Sequence, residues 1–388
     1  MNSGVFYGDA ERVLKTLPSG LVQCCVTSPP YWGLRDYSVA GQFGLEKTID
    51  EYITRMVGVF REVWPALRDD GTVWLNLGDS YAGSGKGGGG SFESERPGWN
   101  RRNDGAVPTG LKPKDLCMIP ARVALALQAD GWWLRSDIIW SKPNPMPESC
   151  NDRPTTAHEH LFLLSKRSPY FYDADAIREE HKEPWRSGTS ENRHCPKEDS
   201  NVHPGFGRGK YDKRVYSPAG RNKRTVWEIP TAPYPGAHFA TFPPALVEPC
   251  ILAGTSPRAC EICGAPWKRV VEKSGGTTGR SWHDHSNDKA IGQSQYIKEL
   301  RAGGIGAEEA KRGNPYEIKE MGWQPTCSCD NEGKGRCLVL DPFAGSGTTG
   351  EVALKHGRDY LLIELNRDYE ELIRGRLGLF YAEAEAGE

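Results

Sequence analysis

The sequence predicts an α/β fold, because strand-like and helix-like segments alternate from residue 1 to about residue 180 and again after residue 337. Two further observations support this class. Short apolar runs stop at proline or glycine turns, as residues 21–27 do before Ser28-Pro29-Pro30. Between such runs, apolar residues recur at the spacing of an amphipathic helix. The 388 residues suffice for two or three domains.

The first predicted elements are a strand over 21–27 and a helix from Ile49. Thr48 and Glu51 have the spacing of a capping box at the start of this helix, and Gly71 ends it. The next elements in chain order are a strand over 72–79, a helix over about 115–130, a strand over 132–140 and a pair of strands within 160–173. After residue 337 we expect a strand, a glycine-rich turn, a helix over 348–357, a strand over 360–365 and a last helix.

Composition and charge exclude several classes of protein. Lys and Arg number 49 against 51 Asp and Glu, so the chain does not bind nucleic acid through bulk positive charge, although a local basic face remains open. No apolar run approaches the roughly 18–20 residues of a membrane span, and the N-terminal segment lacks the features of a secretory signal. We therefore expect a cytoplasmic protein whose 11 cysteines are reduced or bound to metal.

The segment after residue 337 has the pattern of a nucleotide-binding site. A strand runs into a glycine turn and then a helix, which offers free N–H groups to a ligand. Gly345, Gly347 and Gly350 match the dinucleotide fingerprint, and Glu364, 23 residues after Asp341, can accept two ribose hydroxyls. The pattern alone leaves open NAD, FAD, S-adenosylmethionine or a plain turn. Only about 24 residues follow Glu364, which is too few for the second half of a dinucleotide fold.

A second chemical signal is the sequence Ser28-Pro29-Pro30-Tyr31, which follows the strand over 21–27. The two prolines remove two N–H donors and leave main-chain carbonyls beside a hydroxyl and an aromatic ring. Such a site can accept the hydrogens of an amino group while a nucleobase stacks on Tyr31. The alternative is a proline turn without a chemical role.

The S-P-P-Y motif and the sequence D-P-F-A-G-S-G-T-T together resemble the DNA amino-methyltransferases. That family transfers a methyl group from S-adenosylmethionine to the exocyclic amine of cytosine or adenine in a base flipped out of double-stranded DNA. The catalytic motif precedes the cofactor motif, as in the circularly permuted β class. The resemblance extends to Gly8-Asp9, to residues 140–166 and to residues 238–243, about 250 residues in all. It implies a Rossmann-like methyltransferase fold with a mixed seven-stranded sheet, in a protein of bacterial or phage origin.

The resemblance also implies roles for individual residues. The catalytic residues are Ser28, Pro29, Pro30 and Tyr31, and the target-base pocket contains Trp140, Lys142 and Asn144. The cofactor-binding residues are Asp9, Ala240, Thr241, Phe242, Asp341, Pro342, Phe343, Gly345, Ser346, Gly347, Thr348, Thr349, Glu364 and Asn366. A leading Ser is commoner in the cytosine-N4 enzymes of the family, so cytosine N4 is slightly favoured over adenine N6. An NAD-dependent oxidoreductase and a non-catalytic DNA-binding protein are the competing hypotheses.

Three segments interrupt the α/β pattern and define the expected domains. The catalytic half covers residues 1–180 and contains a mobile loop at about 82–112. A target-recognition region follows at 181–230, and a cofactor-bordering segment at 231–254. A cysteine-paired insert, 255–337, separates that segment from the cofactor-binding half, 338–388. Residues 181–224 carry 11 Lys and Arg against 5 acids. The predicted DNA contacts are Arg193, Arg208, Lys210, Lys213, Arg214, Arg221, Lys223 and Arg224, with a solvated loop as the alternative.

The cysteines of the insert predict a structural zinc site. Cys260-x-x-Cys263 followed by glycine and an apolar strand resembles half of a zinc ribbon, and Cys327-x-Cys329 could complete it. His283 or His285 could replace a thiolate, and free cysteines are the alternative. The sequence leaves open whether a second copy of the chain or a cognate restriction endonuclease is a partner. It also leaves the recognition sequence open.

Overall fold

The computed structural model describes residues 3–33, 37, 39–83, 107–180, 220–232, 242–274 and 317–384. In chain order, the strands and helices in these ranges are β1 (Gly4–Tyr7), α1 (Ala10–Lys15), β2 (Val22–Thr27), α2 (Ile49–Ala66), β3 (Leu67–Leu77), α3 (Ile119–Ala129), β4 (Trp133–Ser141), β5 (His158–Ser165), β6 (Val226–Glu228), α4 (Pro244–Gly254), β7 (Lys268–Ser274), β8 (Glu317–Gln324), β9 (Leu338–Asp341), α5 (Thr348–Lys355), β10 (Asp359–Glu364) and α6 (Glu370–Leu377).

A mixed sheet of eight strands forms the centre of the larger of two structural units, in the order β1-β10-β9-β2-β3-β5-β4-β6. The first five strands are parallel, β5 is antiparallel to both β3 and β4, and β6 runs parallel to β4. The α/β class is confirmed, but the expected count of seven strands is wrong. The additional strand is the three-residue edge strand β6, which is too short to carry a periodicity that sequence reasoning could detect.

The pairing of β2 with β9 brings together segments that lie more than three hundred residues apart. Cys24 pairs with Val339, and Cys25 pairs with Leu340, in parallel register. Both strands are buried on both faces, which is typical of central strands in a parallel sheet. This pairing sets the S-P-P-Y loop and the glycine turn at the same edge of the sheet.

Helices cover both faces of the sheet. The apolar cluster on one face contains residues of α1, α2 and α3, including Leu14, Phe60 and Leu127. The cluster on the other face contains residues of α4, α5 and α6, including Ile251 and Val352. In the described part of the chain, no helix is long and apolar enough to cross a membrane.

The smaller unit comprises Arg178–Lys223 and Arg269–Gly322. Within it, Glu179 and Arg221 exchange two backbone hydrogen bonds and form an ion pair with a distance of 3.1 Å between Arg221 Nε and Glu179 Oε2. Most of β7 and β8, which pair with each other, also belongs to this unit.

Local sequence signals were right at one end of α2 and wrong at the other. The capping box is present, with Glu51 N donating to Thr48 Oγ1 over 3.1 Å and Thr48 N donating to Glu51 Oε2 over 3.4 Å. Gly71 does not end the helix. The chain turns from Ala66 directly into β3, where pairing with β2 takes over, and Gly71 lies within that strand.

Other elements also differ from the sequence-based expectation. Only the first of the two strands predicted within 160–173 exists, as β5; residues 170–173 lead instead into a 3-10 turn at Ala174–Ile177. The strand β1 and the helix α1 were not predicted. Each is shorter than the window over which periodicity can be detected.

Candidate active site

The candidate site lies at the carboxyl ends of β2 and β9. From β9 the chain continues to β10 on one side, whereas β2 continues to β3 on the other. Ligands of open α/β sheets bind in the crevice at such a switch point. Ser28 directly follows β2, and Asp341 is the last residue of β9.

Asp341 connects the elements of the site. Its Oδ1 accepts hydrogen bonds from Thr27 Oγ1 over 2.7 Å and from the backbone N–H of Phe343 over 3.0 Å. Its Oδ2 accepts from Thr349 Oγ1, in the first turn of α5, over 2.6 Å. Burial raises the pKa of Asp341 to about 6, although all three donors favour the ionised form.

The glycine turn between β9 and α5 has the features of a ligand cradle. Gly345 and Gly347 have φ values of 53° and 83°, in the left-handed region that glycine adopts without steric cost. The Ser346 side-chain oxygen is buried and has no hydrogen-bond partner among the described residues. The helix that follows offers unpaired N–H groups at its start. These features fit a bound nucleoside cofactor.

Glu364, at the end of β10, faces this turn. Its two carboxylate oxygens accept from the backbone N–H groups of Gly345, over 2.7 Å, and Asn366, over 2.8 Å. Burial raises the pKa of Glu364 to about 7. The backbone N–H of Gly8 donates to the carbonyl of Glu364 over 2.9 Å, which brings Asp9, the N-cap of α1, to the same edge. Each carboxylate oxygen retains a lone pair that can accept a ribose hydroxyl.

The S-P-P-Y loop forms a hydrogen-bonded network with β3 and β5. Ser28 Oγ and Tyr31 Oη lie 3.1 and 3.0 Å from Asn76 Oδ1, and 3.3 Å from each other. Tyr31 Oη also donates to Glu159 Oε2 over 2.6 Å. The carbonyl of Pro30 accepts from Tyr52 Oη over 3.0 Å, which fixes the second proline of the loop. Polar groups thus converge at the position where the sequence predicts the target amine.

The two ends of the site share one apolar cluster. Tyr31 and Phe343 both pack against the cluster that α2 covers. The rings of Phe343 and Phe43 meet edge to face with centroids 5.1 Å apart. A Cβ atom at Gly78 would lie 2.6 Å from Tyr31 Cε2, so only glycine leaves room for the tyrosine ring there. Close packing therefore fixes Tyr31.

The predicted target-base residues lie at the end of β4, which contains Trp140, and in the segment that follows it. Lys142 forms an ion pair with Glu159 and lies 4.5 Å from the centre of the Trp140 ring. Trp140 is buried and donates to the carbonyl of Ile229 over 2.8 Å, so it packs behind Lys142. The amide of Asn144 accepts from the backbone N–H of Thr231 over 2.9 Å.

Two residues of the site were not identified as functional from the sequence. Glu159 was quoted only as part of the resemblance, and Asn76 was not singled out. The signal for Asn76 was a polar residue inside an apolar strand, where it is buried.

Several predicted site residues lie outside the described residues. These are Ala240 and Thr241, five of the predicted DNA contacts (Arg193, Arg208, Lys210, Lys213 and Arg214), most of the predicted loop 82–112, and both histidines considered as zinc ligands. Phe242 packs against the apolar cluster beside α4. Arg221 and Lys223 belong to the smaller unit, and Arg224 belongs to the larger one. A DNA-contacting role for these residues stays a prediction.

The four predicted metal ligands lie together. The sulfur atoms of Cys260, Cys263, Cys327 and Cys329 are all within 4.8 Å of one another, and the four cysteines are free thiols. The backbone N–H groups of Ile262 and Cys263 donate to the sulfur of Cys260 over 3.4 Å each. Four cysteines in this arrangement match the ligand set of a tetrahedral zinc site.

Comparison with known structures identifies the class of the fold. The chain resembles the structure named "PvuII DNA methyltransferase (cytosine-N4-specific)" with a TM-score of 0.51 at 16% identity, over 97% of this chain and 86% of that one. At this identity the likeness concerns the fold, which is that of the S-adenosylmethionine-dependent DNA methyltransferases.

Sequence comparisons identify the family. A family model described as DNA methylase, which covers N6 and N4 methyltransferases, matches residues 22–260 and 331–375. The chain is 38% identical to the Type II methyltransferase M.Cfr9I of Citrobacter freundii, over 96% of this chain and 87% of that protein. It is 48% identical to M.XycI of Xanthomonas campestris pv. cyanopsidis, over 97% and 87% of the two chains. The chain therefore belongs to the DNA methylase family and is a DNA amino-methyltransferase. The alternative of an NAD-dependent oxidoreductase is not favoured.

The raised pKa of Asp341 predicts a stability effect. Its folded-state pKa of about 6 exceeds the ordinary value of 3.8, so the folded state binds the proton more tightly. The contribution of Asp341 to the free energy of unfolding is therefore fully present below pH 4 and is lost as the pH rises through 6. We expect Asp341→Asn to raise the free energy of unfolding at pH 7 by about 1–3 kcal/mol while weakening cofactor binding.

Urea unfolding at pH 4 and pH 7 measures the effect. The stabilisation relative to wild type should be present at pH 7 and absent at pH 4. A variant that is less stable than wild type at pH 7 would show that the hydrogen bonds of the carboxylate outweigh its burial.

Proposed function

We propose that the protein transfers a methyl group from S-adenosylmethionine to N4 of cytosine in double-stranded DNA, at a specific sequence. The observation that carries this proposal is the hydrogen bond between Thr27 and Asp341, since it joins the amine-accepting loop to the cofactor turn. Ser28 at the head of the loop favours cytosine. Adenine N6 is the alternative, because the same acceptors serve both amines.

The cofactor would be held by the glycine turn and by carboxylates. Residues 342–349, which form the turn after β9 and the start of α5, would contact it, and Glu364 would accept the ribose hydroxyls. Asp9 lies at the same edge of the sheet, and Phe242 packs against the apolar cluster beside α4. When bound, the cofactor supplies a methyl group on a cationic sulfur, which is the electrophile of the reaction.

The chain's own residues position the nucleophile. Ser28 Oγ and the carbonyl of Pro29 accept the two hydrogens of the target amine, so its lone pair points towards the cofactor. Tyr31 stacks on the flipped base, and Glu159 and Asn76 hold its hydroxyl. Lys142 lies behind Glu159. Alignment of amine and methyl carbon supplies most of the rate enhancement.

The DNA-binding elements are assigned from the sequence pattern. We assign residues 181–230 as the target-recognition region, with Arg221, Lys223 and Arg224 among its phosphate or base contacts. The relatives are named Type II methyltransferases, and this supports a cognate restriction endonuclease as the partner in the cell. The chain order of the catalytic and cofactor motifs favours the circularly permuted β class.

Substitutions in the S-P-P-Y loop test the catalytic assignment. We expect Ser28→Ala and Tyr31→Ala each to reduce methyl transfer to DNA by roughly 100-fold or more, because the amine loses an acceptor or the base loses its stacking partner. Cofactor affinity, measured by calorimetry, should stay within about twofold of wild type. The control is Ser19→Ala, an exposed serine at the opposite edge of the sheet. Full activity of the Ser28/Tyr31 double variant would contradict the assignment.

The target base and recognition site can be determined in one experiment. DNA from cells that express the protein is sequenced by a method that distinguishes N4-methylcytosine from N6-methyladenine. We expect N4-methylcytosine at one position of a single recurring sequence. N6-methyladenine at that position would show that adenine, not cytosine, is the target base. Unmodified DNA from cells whose expressed protein binds S-adenosylmethionine would contradict the proposed function.

We propose that Cys260, Cys263, Cys327 and Cys329 bind a structural zinc ion. The proximity of four free thiols and the N–H donors to Cys260 support this assignment. The group is tied to the start of the parallel strands: Gln23 donates to the carbonyl of Gly264 over 2.8 Å, and Arg68 donates to the carbonyl of Cys263. The metal would therefore fasten the loop after α4 to β2 and β3.

Metal analysis tests the zinc proposal. We expect one zinc per chain in protein purified without a metal-affinity resin. Cys260→Ser should lose the metal and melt roughly 5–10 °C lower, because the ligands then no longer cross-link the two halves of the group. Cys150→Ser, a free cysteine outside the cluster, is the matched control. Metal-free wild-type protein, or full zinc content in Cys260→Ser, would contradict the proposal.

A further inference from the structure

A carboxylate that the mechanism above uses only to hold Tyr31 is connected to the catalytic serine. Tyr31 Oη donates to Glu159 Oε2 over 2.6 Å, and Ser28 Oγ lies 3.3 Å from Tyr31 Oη. The other oxygen of Glu159 forms an ion pair with Lys142, which fixes the orientation of the carboxylate. The Glu159 side chain is 15% exposed, so it has access to solvent.

The donors and acceptors of this network form a chain with one direction. Asn76 Nδ2 donates to the carbonyl of His160 over 3.1 Å, so the amide oxygen of Asn76 faces Ser28 and Tyr31. A hydroxyl donates one proton and accepts others. Tyr31 therefore donates to the carboxylate of Glu159, which is a stronger acceptor than the amide oxygen of Asn76. The Ser28 hydroxyl can rotate so that it donates to Tyr31 Oη instead of to Asn76. The serine is then free to accept from a substrate amine.

We propose that Glu159 receives the proton that the target amine releases, by way of Ser28 and Tyr31. This inference rests on the proposed function, because it requires the amine at Ser28. When the amine nitrogen bonds to the methyl carbon, the carbon–sulfur bond breaks and the nitrogen becomes cationic. Its surplus proton passes to Ser28 Oγ, the serine proton passes to Tyr31 Oη, and the tyrosine proton passes to Glu159 Oε2.

The transfer leaves every group balanced. The methylated amine is neutral, both hydroxyls regain one proton each, and Glu159 becomes a neutral acid that later gives its proton to water. A flipped base stacked on Tyr31 would separate the amine from bulk water, and an internal acceptor would then take its proton. The partly exposed position of Glu159 provides the exit.

Other charged groups near Glu159 must be accounted for in a pH experiment. Lys142 faces it from the residue that follows β4, and Tyr31 faces it from the loop after β2. His158 and His160 are its neighbours on β5, and His160 Nδ1 lies 3.0 Å from Asp137 Oδ1. Because the histidines are present in all variants, the ratio of variant to wild-type rate isolates Glu159.

Single-turnover methyl transfer from pH 6 to pH 9 tests the relay in the full-length protein. Glu159→Gln still accepts the Tyr31 hydrogen bond but cannot take a proton. We expect its rate at pH 7 to fall roughly 10- to 100-fold, and the deficit to shrink as the pH rises, since hydroxide and buffer base then replace the carboxylate. Tyr31→Phe should show the same pH-dependent deficit, and the double variant should be no slower than either single variant.

Two further variants separate a relay from a structural role. Glu159→Asp keeps a carboxylate and should recover most of the rate lost in Glu159→Gln. Glu248→Gln, in an ion pair with Lys355 on the α4–α5 side, is the control and should match wild type. Cofactor affinity and melting temperature are measured for each variant to show that the fold is intact.

The outcomes distinguish this inference from the proposed function. If wild-type protein methylates DNA and Glu159→Gln stays within twofold of it, or shows a deficit that is constant from pH 6 to pH 9, the relay is wrong and the function stands. If wild-type protein transfers no methyl group to DNA, the proposed function itself fails.

Discussion

The site depends on one buried carboxylate. Asp341 accepts hydrogen bonds from Thr27 on β2, from Thr349 on α5 and from the backbone N–H of Phe343, and it is itself the end of β9. Ser28 is the residue after Thr27, and the glycine turn directly follows Asp341. A single side chain therefore sets the distance between the S-P-P-Y loop and the glycine turn.

This arrangement has an electrostatic cost. Burial raises the pKa of Asp341 to about 6 and that of Glu364 to about 7, and each carboxylate compensates by accepting several hydrogen bonds. A cofactor that carries a cationic sulfur would reduce the cost of keeping both groups ionised. The folded protein is therefore expected to gain stability when the cofactor binds, beyond the gain from contact area alone.

The two ends of the central strands β2 and β9 carry different features of the protein. The carboxyl ends of β2 and β9 carry the S-P-P-Y loop and the glycine turn, whereas the start of the same strands is bound to the cysteine cluster. Gln23, near the start of β2, donates to the carbonyl of Gly264 and accepts from the backbone N–H of Leu338 at the start of β9. The cluster is thus part of the framework of the larger unit rather than a separate module.

The sequence by itself determined the α/β class, the capping box of α2, both chemical motifs and the four clustered cysteines, because each is a local pattern or a strict spacing of residue types. It did not determine the extra edge strand, the end of α2, or the roles of Asn76 and Glu159. These depend on pairing and packing between distant segments: β3 takes over from α2 because it pairs with β2, and Glu159 meets Tyr31 only because β5 returns antiparallel beside β3. Only the tertiary structure brings such partners within hydrogen-bond distance, since no local pattern encodes a contact between residues 128 positions apart.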